Sequence, residues 1–137
     1  MATIASTART ADDAKLLRFA LKQDAIGSGA NGVVYLAAAA IFGRLFGLPA
    51  GLLYPVGVFL VGFAAALLFL ASRPTVSRPA VAVVIALNIA WVAASVELLV
   101  AGWFPLTTLG VVLVIAQAVV VAGFAALQII GLRRTAF

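Results

Sequence analysis

The chain has 137 residues, 66% hydrophobic and only 9% charged, with a mean hydropathy of +1.25 and a net charge of +5. A soluble domain carries roughly a quarter charged residues, so this surface has too little polarity to face water. With no Cys, no His and Met1 as the single Met, the composition excludes disulfides, thiolate or imidazole metal sites, haem ligation, Cys nucleophiles and His-based acid–base pairs; no cofactor is expected.

Residues 1–11 read as a mobile polar tail. They lack the short basic region, running straight into an apolar stretch, that defines a signal peptide. Residues 12–23 form an amphipathic juxtamembrane segment, in which Lys15, Arg18 and Lys22 fall at i, i+3 and i+7 on one helical face. Such a face can meet anionic lipid head groups or a partner; the plainer alternative is a turn whose charges hold the topology.

The body, residues 24–134, contains four apolar stretches at about 25–45, 53–72, 79–101 and 106–131. Each is long enough to cross a hydrocarbon core, which needs ~20 residues. The breaks "GLPAGLLYP", "SRPTVSRP" and "AGWFP" are short and rich in Pro and Gly, so consecutive helices are antiparallel neighbours. The expected fold is an all-α bundle of four transmembrane helices.

Basic residues gather on one side. Arg9, Lys15, Arg18 and Lys22 precede the first span, Arg73 and Arg78 lie in the middle loop, and Arg133 and Arg134 close the chain, while the two remaining connections contain only Arg44 at their edge. The positive-inside rule then places both termini in the cytoplasm. It also accounts for the basic balance without nucleic acid as a partner.

The two halves look related. Asn31–Tyr35–Ala37–Ala38–Pro49 parallels Asn88–Trp91–Ala93–Ala94–Pro105, and "GFAAALLFLASR" parallels "GFAALQIIGLR". This pattern suggests two tandem helical hairpins related by an axis along the membrane normal.

Polar side chains within the spans are the candidate site. Asp24, Ser28, Asn31 and Tyr35 advance by 4, 3 and 4, so they share one face of helix 1. Asn88, Trp91 and Ser95 share a face of helix 3, and Gln117 and Gln128, eleven apart, share one of helix 4. Helix 2 has no strongly polar side chain between Val56 and Ala71 and is expected mostly to face lipid. A polar seam between helices 1, 3 and 4 follows, with Asp24 and Gln128 near the cytoplasmic surface and Asn31 and Asn88 deeper.

Two uses of that seam are open. It can be a path for a small polar solute or ion, because polar groups in a bilayer often mark one. It can equally be helix–helix hydrogen bonding, each bond contributing about 0.6 kcal/mol; this second use is the one adopted. Arg44 and Glu97 share a depth and form a candidate ion pair. Arg78, Arg133 and Lys22 are candidate partners for Asp24.

The runs "LKQDAIGSGANG", "ALNIAWVAAS" and "GFAALQIIGLRR" resemble short four-helix membrane proteins of high-GC bacteria. That resemblance implies a bacterial inner-membrane location and no particular activity. Small multidrug transporters are similar in size but place an essential Glu within helix 1, where this chain has Asp24 and Asn31. The Gly-rich and Arg-Tyr motifs of fluoride channels are not present.

The reading is therefore a small multi-pass protein of the cytoplasmic membrane, a non-enzymatic accessory or assembly component. A bundle this small has little interior of its own, so a homo-oligomer or a larger membrane complex is expected. The alternative is a homo-oligomeric transporter or channel.

Overall fold

A computed structural model describes the backbone of residues 2–134 and the side chains from residue 14 onward. It is all α-helical among the described residues. The four helices are α1 (Ala2–Phe46), α2 (Ala50–Ser72), α3 (Arg78–Ala101) and α4 (Thr108–Arg134). All four are long and apolar enough to cross a membrane, so this is a multi-pass membrane protein. The polar tail expected at 1–11 lies outside the residues whose side chains are described.

Helix ends follow local chemistry. The α1–α2 turn uses Gly47 at φ +76°, a left-handed conformation that glycine adopts without steric cost. A Cβ there would also collide with the Pro105 carbonyl. Ser77 caps α3 by accepting from the Ala80 N–H at 3.4 Å, and Pro79 sits in its first turn, where a missing N–H costs nothing. Gly102 ends α3 in the left-handed region, its N–H bonded to the Leu98 carbonyl. Thr107 caps α4 by accepting from the Gly110 N–H at 3.0 Å, and its own hydroxyl donates to the Leu45 carbonyl at the end of α1.

The main departure from expectation is in α1. The basic segment at 12–22 runs without interruption into the first span, since "KLLRFALKQDA" holds no Gly or Pro and consists largely of good helix formers. One irregularity follows at Ala38, whose φ of −128° and ψ of 26° kink the helix. Leu17, Leu21 and Ala25 are buried and join Ala64, Leu67, Ala71, Val81, Val84 and Ile85 in one apolar cluster. A second cluster, around Tyr35, Ala39, Leu48, Leu53 and Leu60, fills the opposite half of the bundle.

Helix α1 packs along both α2 and α4, and α4 packs along α3. Helices α2 and α3 barely touch, and α1 and α3 stand on the diagonal without direct backbone approach. Helix α2 is therefore not the lipid-facing bystander expected from its plain sequence. Its residues Leu53, Gly57, Leu60, Ala64, Leu67 and Ala71 are buried at a spacing of three or four, which is one helical stripe. The approach to α1 is close because both helices have glycine at the crossing. A Cβ on Gly32 would lie 2.9 Å from the Gly57 carbonyl oxygen, and one on Gly57 would lie 3.0 Å from the Gly32 oxygen. Small residues allow this backbone contact in an apolar medium.

At the end of the bundle that carries the termini, Arg18 fastens α1 to the α2–α3 turn. Its guanidinium donates to the carbonyls of Ala71 at 2.6 Å, Arg73 at 2.6 Å and Pro74 at 2.9 Å. These lie at the last turn of α2 and just beyond it, where carbonyls lack intrahelical partners and a cation is favoured by the helix dipole.

Candidate functional site: two polar layers and the cavities beside them

The sequence-level seam resolves into two separate layers. In the first, the Asp24 carboxylate of α1 receives Nδ2 of Asn88 from α3 at 2.7 Å and Nε2 of Gln128 from α4 at 2.7 Å, both on Oδ2. Ser28, one turn along α1, donates its hydroxyl to Oδ1 at 3.0 Å. Asn88 Nδ2 also donates to Gln128 Oε1 at 3.0 Å, closing the triangle. Asp24, Asn88 and Gln128 are only 1%, 5% and 0% exposed. Burial of this kind is tolerable because each group meets a partner.

Asp24 is thus not at the mouth of its helix. Its partner Asn88 stands ten residues (78 to 88) after the first residue of α3, or about 15 Å inward at 1.5 Å per residue. The donors that hold it are neutral side chains rather than Arg78, Arg133 or Lys22. Its local cause is the helical spacing: Asp24 and Ser28 are one turn apart, and both face the α3–α4 side.

The second layer lies three turns further along. There Gln117 Nε2 of α4 donates to the Tyr35 hydroxyl of α1. Tyr35 is eleven residues after Asp24 and Gln117 is eleven before Gln128. The index sum is 152 in both layers (24 and 128, 35 and 117), which is the register of two antiparallel helices. Eleven residues are about three turns, so both contacts fall on the same faces.

Other expected members are placed differently. Asn31 is exposed and borders a cavity. Ser95 returns its hydroxyl to the Trp91 carbonyl of its own helix at 2.8 Å. Arg44 and Glu97 are both exposed, on the two helices that do not pack directly, and no salt bridge joins them among the described residues. The expected pairing fails because both side chains are exposed, whereas contact across this diagonal is made by the buried Asn88 and Asp24.

Two cavities flank the second layer. The first, about 180 Å³, lies between the two layers and is lined from all four helices, including Asn31, Phe59, Phe63, Asn88, Trp91 and Phe124. The second, about 190 Å³, lies on the far side of the Tyr35–Gln117 bond and includes Leu52, Val56, Ala94 and Leu98. Trp91 and Gln117 border both. The indole Nε1 of Trp91 is buried and has no hydrogen-bond acceptor.

Sequence reasoning missed the α2 contribution to these spaces. Leu52, Val56, Phe59 and Phe63 advance by 4, 3 and 4, which marks one face, but in an all-apolar helix that face has no polar label to distinguish it. Among the described residues no three His, Cys, Asp or Glu side chains come together. No family model, curated protein or solved structure matches this chain.

Proposed function

We propose that this protein is a non-enzymatic accessory or assembly component of a bacterial cytoplasmic membrane, with both termini in the cytoplasm. One observation carries the reading: Asp24, Asn88 and Gln128, the buried polar or charged side chains among the described residues, are bonded to one another across three helices. Groups bonded in this way hold helices together, and the Tyr35–Gln117 bond adds a second tie between α1 and α4. The outward faces of α3 and α4 are apolar, with Val83, Ile89, Val96, Val112, Ile115 and Val119 exposed. They suit lipid, a second copy of the chain or a larger membrane complex. At the terminal end, Lys15, Arg18 and Lys22 supply positive charge toward anionic head groups; Arg18 does so while holding the end of α2.

The test is purification from the native membrane in mild detergent, followed by the intact mass of the assembly. A fixed-stoichiometry complex with other membrane proteins supports the accessory role. A homogeneous self-oligomer that conducts a solute in proteoliposomes refutes it. The second reading, a homo-oligomeric transporter or channel for a small polar solute, draws on the exposed Asn31 amide at the first cavity. It requires flux that Asn31→Leu abolishes without loss of fold.

A further inference from the structure

The outward face of α3 carries one exception to its apolar character. Glu97 stands nine residues after Asn88, and nine residues are two and a half turns. It therefore lies on the side of α3 opposite the buried Asn88, and it is exposed. Its depth follows from the register that orders the two polar layers. At 1.5 Å per residue it lies about 13.5 Å beyond the Asp24–Asn88–Gln128 layer, and so about 3 Å short of the Tyr35–Gln117 layer. Along α4 this is the level of Val119, about 16.5 Å from Thr108 and about 22.5 Å from Arg134. The carboxylate is thus at hydrocarbon depth, and no hydrogen bond or ion pair reaches it from any described residue. A charged side chain there is costly and calls for a partner.

The chain has no cation to offer at that level. Lys15, Arg18, Lys22, Arg73, Arg78, Arg133 and Arg134 belong to the end that carries the termini. Arg44, in the last turn of α1, stands twenty residues after Asp24, or about 30 Å, which is about 16.5 Å past the level of Glu97. A second copy inserted side by side in the same orientation keeps these levels, so its Arg44 does not reach. The complementary charge must come from another protein. Shape agrees with that reading. Ala86, Ala90 and Ala93 run up to Glu97 at spacings of 4, 3 and 4, and all three are exposed. Such small side chains let another helix approach the α3 backbone closely.

We propose that the outward face of α3 docks a transmembrane helix of a different membrane protein, one that carries a Lys or Arg at mid-depth, with Glu97 as its ion-pair partner. Ala86, Ala90 and Ala93 form the floor of the contact. The proposal rests on the accessory reading and adds to it the surface used and the chemistry of the partner.

A leucine–alanine transmembrane peptide with a single central Lys and a dansyl label is the probe, and its all-apolar twin is the control. The full chain is reconstituted with either peptide in phosphatidylcholine vesicles. Energy transfer is read from Trp91 and Trp103, which lie in α3 and just beyond it. Transfer should saturate with the Lys peptide and rise only linearly with its twin. Glu97→Gln should weaken binding of the Lys peptide at least about tenfold, the effect of taking one partner from a desolvated charge pair. Ala90→Phe, which blocks close approach, should weaken it as well. Charge reversal gives a signature that loss of fold does not: Glu97→Lys should lose the Lys peptide and gain a peptide with a central Glu. Equal transfer for the Lys peptide and its twin, or full binding retained by Glu97→Gln, would overturn the proposal. So would a disulfide between two Ala90→Cys chains in vesicles without peptide, which would show a second copy on this face. The intact-mass measurement from the native membrane separates the two claims. A complex that persists with Glu97→Gln overturns this contact and leaves the accessory role standing, whereas no complex in the unmodified chain removes the accessory role and the proposal with it.

Discussion

Asn88→Ala is the most informative perturbation of the buried layer. The substitution removes Nδ2, which serves Asp24 Oδ2 at 2.7 Å and Gln128 Oε1 at 3.0 Å, and leaves the carboxylate with donors from Ser28 and Gln128 only. A bond between neutral groups in a membrane contributes about 0.6 kcal/mol, and one to a charged group about 1.5–3 kcal/mol. The expected loss is therefore about 2–3 kcal/mol, or roughly 30- to 150-fold in the unfolding equilibrium. Ser95→Ala on the same helix is the matched control, because its hydroxyl bonds only within α3; its loss should stay under about 0.5 kcal/mol. Reversible unfolding in mixed micelles, followed by circular dichroism, gives both values. Combining Asn88→Ala with Gln128→Ala should cost less than the sum of the two, since they share Asp24 and each other. Equal stability of the Asn88→Ala and Ser95→Ala chains, or strict additivity of Asn88→Ala and Gln128→Ala, would refute the reasoning.

Gly32→Ala should destabilise by about 1–3 kcal/mol as an overpacked contact, because its Cβ would meet the Gly57 carbonyl oxygen at 2.9 Å. Gly62→Ala, with nothing within 4 Å, should be neutral or raise the melting temperature through helix propensity; thermal unfolding in detergent compares the two. Arg18→Gln removes the guanidinium that holds three carbonyls of the α2–α3 turn, so amide exchange over residues 72–78 should quicken while exchange over 98–108 stays unchanged. Because the chain has no Cys, single cysteines at Ser77 and Gly102 report topology directly. An impermeant maleimide added outside intact cells should label the Gly102→Cys chain and spare the Ser77→Cys chain, and the reverse would invert the proposed orientation.

Much of the fold was legible because the bilayer imposes a simple rule: every backbone polar group must be satisfied within a span. Four apolar runs of about twenty residues, punctuated by Gly and Pro, therefore specify four helices and short connections, and α2, α3 and α4 start and stop within three residues of the expected bounds. Periodicity also identified which polar residues share a face, including Asp24 with Ser28 and Gln117 with Gln128. The depth of Asp24 was misjudged because hydropathy marks the edge of a span by its charges, and the basic segment before Asp24 turned out to be part of the same helix.

Sequence alone determined the number of helices, their apolar character and the side chains available for polar contact, since these depend on local chemistry and on a repeat of 3.6 residues. Tertiary structure decided who meets whom. Helices α1 and α3 stand on a diagonal, which the buried Asn88 and Asp24 bridge through the interior while Arg44 and Glu97 stay exposed and apart. The open α2–α3 seam, and with it the cavity beside Trp91, has no signature in a run of Leu, Val and Phe. In an apolar medium, close approach is governed by shape and by glycine at the crossing, and neither Gly32 nor Gly57 names its partner until the helices are packed.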